Sequence, residues 1–329
     1  NPINLGNNDL SIHSGGTTVL DVASNTLRNV RIEWGGTLKL GVADALPAAS
    51  VLMIGNSSSG TDYAGRFDLD GNSQTLAGLQ NVGLNAANEV RNSSLTPVTL
   101  TIDNTNDYTY ASRMTGNLAL GKSGAGTFTL GGENTYSGAT TITGGTLALS
   151  HDTSGNTIAS SPVIDIAAGA ILDVTGLTGA GGFRLNSGQT LQGNGAVVGN
   201  LLMAAGSSFA PGTSPGVLTV EGNFVQDSAA TLLVELANSG VAGADYDLVD
   251  VYGDASLDGW LDVSLLNGFA AELGDYFDVL TTTGSLDIAG LELTGDAPNP
   301  VFGWWDAAVV GGVDGSVLRL TAVPEPSGL

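Results

Sequence analysis

The sequence contains no cysteine, only nine basic residues in 329, and a formal net charge of -23. Without cysteine there is neither a disulfide framework nor a thiolate-ligated zinc or iron–sulfur site. So few Lys and Arg exclude nucleic-acid binding, which rests on clustered cations meeting phosphates. An anionic membrane surface is disfavoured by the same charge. No run of 18 apolar residues occurs, so membrane insertion by a helix is not expected. Helical patterning is scarce as well. Glycine and β-branched residues are spread throughout, and Glu–Lys pairs four apart are almost missing. Charged residues are only 12% of the chain, about half the usual share.

What is present is glycine, 49 residues of it, and a hydrophobic content of 42%, too high for simple disorder. A unit of two small residues, a Thr or Ala, and an alternating apolar strand recurs. It reads Gly35-Gly36-Thr37-Leu38-Lys39-Leu40, then Gly144-Gly145-Thr146-Leu147-Ala148-Leu149, then Ala168-Gly169-Ala170-Ile171-Leu172-Asp173-Val174. Each copy is a turn followed by a short strand with one apolar face. One such strand cannot bury that face alone, but stacked copies can, at about 4.8 Å per coil. Coils of about 20–22 residues predict roughly 15 coils over about 70 Å. The fold expected is all-β: a parallel β-helix, or β-solenoid, with a divergent β-rich C-terminal cap. The alternative pattern is a β-sandwich, whose strands also recur with regular turns. Asn72, Asn104, Asn134, Asn194 and Asn223 sit at predicted corners, where side-chain ladders between coils are expected.

Residues 121–149 carry Lys122-Ser123-Gly124-Ala125-Gly126-Thr127, Asn134-Thr135-Tyr136-Ser137-Gly138, Thr140-Thr141-Ile142 and Gly144-Gly145-Thr146-Leu147. This stretch closely resembles the autotransporter-associated β-strand repeat. The resemblance implies a right-handed parallel β-helix in a secreted or surface-displayed bacterial protein. Near the end, Val323-Pro324-Glu325-Pro326-Ser327 is similar to the start of a PEP-CTERM sorting signal. That likeness, through Pro324, Glu325 and Pro326, implies a Gram-negative-type envelope and an exopolysaccharide setting. A start at Asn1 without a leader reads as a mature chain after export. The organisation expected is irregular N-terminal coils over 1–120 and regular repeat coils over 121–222. An acidic C-terminal solenoid or cap follows over 223–320, and an extended tail over 321–329.

Chemistry is sparse. Carboxylate pairs such as Asp68/Asp70 and Asp245/Asp247 are unavoidable among 32 acidic residues, and read as solvated acids on an exported solenoid. The nine basic residues are scattered along the sequence, without the cationic cluster a uronate lyase needs. Two histidines, His13 and His151, do not make a histidine metal site. No cofactor is expected beyond calcium, whose preference for hard oxygen donors singles out Asp245, Asp247 and Asp250. Phe302, Trp304 and Trp305 form the densest aromatic patch. They are expected in an end-cap core or, as a functional surface, in contacts between protomers or under a sugar. The reading is therefore a non-catalytic extracellular structural protein of a surface layer, biofilm matrix or self-assembling filament. Self-association into a homopolymer and contact with exopolysaccharide are the partners expected. An adhesin or polysaccharide-binding module is the alternative, and a β-helix hydrolase or lyase the third.

Overall fold

The computed structural model describes the chain except residues 1, 14, 24, 57–63, 84–86, 151–155, 178, 180, 213, 300–302, 314 and 326–329. Every statement below concerns the described residues. They are all-β, and the chain divides into two compact units, Asn1–Asp165 with Ala170–Gly179, and Ile166–Gly169 with Ala180–Leu329.

In the first unit, successive strands fall on different walls and return to each wall one coil later. One wall stacks Leu10–Ile12, Asn29–Ile32, Val51–Ile54 and Gly78–Asn81. A second stacks Thr17–Leu20, Thr37–Leu40, Arg66–Asp68, Glu89–Asn92, Arg113–Gly116 and Thr135–Tyr136. A third stacks Gln74–Leu76, Val98–Asp103, Leu118–Ser123 and Thr140–Ile142. Tyr108–Tyr110, Thr127–Leu130, Thr146–Ser150 and Ile171–Gly176 form a further stack. The pairings are parallel, and they place like on like. Phe128 lies against Leu147 and Leu130 against Leu149, all four buried, with Thr129 and Ala148 between them on the outer face. The unit is a β-solenoid, as the alternating repeat predicts.

The second unit repeats the plan with walls built on Phe183–Leu185, Thr190–Gly193 and Ala196–Val198. Its parallel coils run as far as Glu292–Gly295. Within the 223–320 region, expected as an acidic solenoid or cap, the antiparallel part is confined to the end. This part is a hairpin of Trp304–Gly311 and Ser316–Val323, joined antiparallel to Tyr276–Thr282. Phe277 anchors it from inside, packed edge-on to Tyr246, Phe269 and Trp305 at ring distances of 5.3, 6.1 and 5.7 Å.

Coil length is less uniform than 20–22 residues. Some inter-coil contacts join residues 20 apart in the first unit and others 31 apart in the second, so some coils run longer than the period expected. The extra residues go into corners while the strands keep register. Corners need close approach. Gly124 and Gly145 both have positive φ, and a Cβ on Gly145 would collide with the Gly124 carbonyl oxygen.

Asparagine binds coil to coil, mostly by side chain to backbone, and in places by side chain to side chain, as Asn81 Nδ2 to Ser112 Oγ at 2.7 Å. Asn104 Nδ2 donates to the carbonyls of Asn106 and Thr127. Asn72 Nδ2 reaches the Leu40 carbonyl. In the second unit Asn200, Asn223 and Asp254 form a column. Each accepts a backbone N–H from the same position of the next coil, at 2.9, 2.9 and 2.8 Å. Corner N–H groups have no ladder partner of their own, so a side-chain oxygen one coil away satisfies them.

Candidate functional site

The three aspartates chosen for calcium do not converge. Asp247 is buried, not outward, and both its oxygens are taken by backbone N–H groups, Gly216 at 2.7 Å and Glu235 at 2.8 Å. Burial pushes its carboxyl up to about 7, against the pull of those two donors. Asp245 closes its own loop by accepting the Val241 N–H at 2.7 Å. Asp250 stands on the strand Leu248–Val251 and accepts from the Thr281 hydroxyl at 2.7 Å. Among the described residues no group of three or more His, Asp or Glu is placed to hold a metal ion. His13 lies 3.5 Å from Glu33, and His151 is outside the described residues.

The aromatic patch splits. Phe302 lies outside the described residues. Trp305 turns inward onto Phe277 and donates its indole N–H to the Asp296 carbonyl at 2.8 Å. Trp304 is 56% exposed. It borders an open pocket of about 370 Å³ with Leu293, Asp296, Pro298, Asn299 and Glu325. Glu325 thus lines the same pocket as Trp304 and Trp305. Pro324 follows the last strand directly, and Pro326 is outside the described residues. Trp304–Gly311 is also the last strand of its sheet, paired to Ser316–Val323 on one side only. Its eight residues carry a single charge, Asp306.

The basic residues are less scattered than the sequence suggests. Four of the nine stand on one wall of the first unit. Register sets Arg66 beside Glu89 and Glu89 beside Arg113, and in the next column Lys39 beside Asp68 and Asp68 beside Arg91. Glu89 holds Arg66 at 2.9 Å and Arg113 at 3.2 Å, while Asp68 holds Arg91 at 2.8 Å. Lys39 pairs with Asp70 at 3.0 Å. Asp68 and Asp70 are thus committed to ion pairs. Alternating charges opposite one another favour this register and penalise a slip.

Lys122 is more unusual. It is fully buried, and its Nζ donates to the carbonyls of Ser123, Gly124 and Gly144 at 2.7, 2.9 and 3.0 Å. Burial draws its pKa down to about 8, with Asp103 opposing. The lysine of the repeat motif is a clasp joining two glycine corners. Its three donors match three carbonyls, which explains a buried cation without an ion-pair partner.

A family model described as the passenger-associated-transport-repeat matches residues 120–149, the stretch that holds Lys122 and Asn134. The Adhesin BmaC autotransporter of Brucella suis biovar 1 (strain 1330) is 32% identical over 182 residues, which is 54% of this chain. The aligned part is 5% of that much longer adhesin. The chain is accordingly a β-solenoid protein with a passenger-type repeat. It is secreted or displayed at the surface of a Gram-negative bacterium.

Proposed function

We propose that this protein acts by contact and not by catalysis, as an adhesin-type structural element that also associates with copies of itself. The open edge of Trp304–Gly311 carries this reading. An edge strand this long, with one charge and, among the described residues, no strand paired on its far side, offers a row of backbone donors and acceptors to a further strand. A second copy is the occupant that suits it. Antiparallel pairing of two such strands, centred between Ala307 and Ala308, sets Asp306 opposite Val309 and opposes no like charges. The name of the similar adhesin and the repeat support a surface role. The Pro324-Glu325-Pro326 motif belongs to the same reading, as an export and sorting signal in an exopolysaccharide setting. Catalysis finds less support, since Asp68, Asp70, Glu89 and Asp247 are all held by ion pairs or backbone N–H groups.

The test uses the full chain in two measurements: sedimentation with negative-stain imaging, and retention of protein-coated beads by bacterial and host-cell surfaces. Wild type is expected to form assemblies and to retain beads. Val309→Lys, which puts a charge on the edge strand, is expected to abolish the assemblies, whereas Val309→Thr keeps them. A chain that stays monomeric at high concentration and retains no beads removes the proposal. Assemblies unaffected by Val309→Lys remove the edge assignment.

A further inference from the structure

The outer face of the second unit carries a group of residues that neither the repeat nor the hairpin edge requires. Tyr252 and Tyr276 are 57% and 55% exposed, so two large rings lie open to water. Between them the polar side chains are already fixed. Arg319 is held by Asp278 through two parallel bonds, Nε to Oδ1 at 2.7 Å and Nη2 to Oδ2 at 2.9 Å. The same guanidinium lies over the Tyr276 ring, 4.1 Å from its centroid. Asp250 is fixed by the Thr281 hydroxyl. An irregularity in register between Asp278 and Leu280 makes this possible. Tyr276 and Asp278 face outward, Val279 and Leu280 are both buried, and Thr281 faces outward again. Strict alternation over the same residues would turn Leu280 outward and Thr281 into the core; the irregularity keeps Thr281 outside. Two open grooves meet at Asp278. One, of about 660 Å³, runs past Asp250, Tyr252, Thr281 and Arg319, and the other, of about 360 Å³, past Tyr246 and Tyr276.

We infer that this face is a binding site for a neutral polysaccharide. A sugar ring has an apolar C–H face, which suits an exposed tyrosine, and a rim of hydroxyls, which both donate and accept. Asp250 and Asp278 keep lone pairs for those hydroxyls. Arg319 keeps its Nη1 group, which has no partner among the described residues. Because these groups are held before any ligand arrives, little ordering cost remains on binding. The two grooves together suit a chain of sugars rather than one ring. Charge selects against acidic glycans. Arg319 is neutralised by Asp278, which leaves Asp250 uncompensated, with Asp275 at the smaller groove and Glu221 beside Tyr252. A uronate or sulfated polymer meets repulsion here.

This inference deepens the contact role proposed above, and its test is separable from that one. Full-length protein is titrated calorimetrically with mannohexaose, maltohexaose and cellohexaose, and with hexagalacturonate as the acidic probe. At least one neutral probe is expected to bind, and hexagalacturonate not. Tyr276→Ala and Tyr252→Ala are each expected to weaken binding tenfold or more, with thermal midpoints unchanged. Tyr276→Phe, which keeps the ring under Arg319, stays within threefold of wild type, and so does Trp304→Ala at the other aromatic site. The inference is overturned if no neutral probe binds, if hexagalacturonate binds more tightly, or if binding survives both tyrosine-to-alanine changes. Failure of those titrations while beads are still retained by cells would sink this site and leave the contact role standing.

Discussion

Replacing Asn134 by Ala tests whether inter-coil asparagines hold the repeat together. Asn134 is 4% exposed. Its Oδ1 accepts the backbone N–H of Met114, one coil away, at 2.9 Å, and its Nδ2 donates to the carbonyls of Gly132 at 3.0 Å and Gly131 at 3.4 Å. Met114 is fully buried, so its N–H finds no water when the acceptor is removed. An orphaned buried N–H costs about 1–3 kcal/mol, and the two carbonyls, one weakly bonded at the outset, add about 1 kcal/mol. Freeing the side chain returns under about 1 kcal/mol of entropy. The net loss expected is about 2 kcal/mol. Asn117 is the control, since its Nδ2 donates to the Leu95 carbonyl at an exposed corner, and Asn117→Ala is expected to cost well under about 1 kcal/mol. Because each coil leans mainly on its neighbours, the loss registers as local fraying more than as global unfolding. Amide hydrogen exchange is therefore the assay. The amides of Arg113–Gly116 and of Glu89–Asn92, paired to it, are expected to lose protection by about 30-fold. If only the Met114 amide accelerates, or if the two variants behave alike, the coil-bridging role is refuted.

Asp247 predicts an inverted pH effect. Its folded pKa of about 7 lies above the ordinary 3.8, so the native state keeps a proton that the unfolded chain releases. Its contribution is then full below about pH 4 and is lost as pH rises through 7. Asp247→Asn is expected to flatten that part of a urea-midpoint-against-pH curve, and an unchanged slope counts against the assignment. Glu89→Gln leaves Arg66 and Arg113 facing one another without their shared carboxylate. Since those guanidiniums are 39% and 50% exposed, the expected loss is about 1 kcal/mol. It should shrink in 0.5 M salt as screening sets in. A loss insensitive to salt points to packing instead.

The stack was legible because its code is local. Alternation over Thr146–Ser150 and the glycine corner before it state which side is in, and parallel pairing follows from the repeat. The ion-pair ladder was not legible. It exists only in register, with Arg66 and Glu89 separated by 23 residues, and coil lengths that vary with corner insertions hide such columns. The burial of Lys122 was not legible for another reason: the motif shows the lysine beside Ser123-Gly124, but not that three carbonyls, one of them on the next coil, converge on its Nζ. Asp247 misled because alternation placed it outward with Asp245, whereas the corner folded around Val241–Asp245 leaves it facing the Gly216 and Glu235 amides. The hairpin was visible as an aromatic, apolar stretch, but its antiparallel pairing depends on Tyr276–Thr282 being the last strand of that wall before the chain reverses.

These misses share a physical origin that bears on where function sits. Inward positions are constrained twice, by burial and by the coil on either side, so they repeat and can be read. Outward positions on the same strands answer to the neighbouring coil only through pairwise contacts such as Arg66–Glu89, with no apolar core to fix the residue type. They are free to carry an ion-pair column on one wall and tyrosines with fixed polar partners on another, without changing the stack. The irregularity at Asp278–Leu280 is the exception that joins the two sets. It places two adjacent residues inside, and so resets which side chains face water beyond it. A solenoid can therefore absorb a single inserted residue locally while its core register and its outward set continue on both sides. A second such shift, between Ala148 and Ser150 in the first unit, has no exposed Trp or Tyr beside it among the described residues. The irregularity alone is thus insufficient, and it is the combination with Tyr252, Tyr276 and the Arg319–Asp278 pair that makes one face of the second unit a surface for recognition.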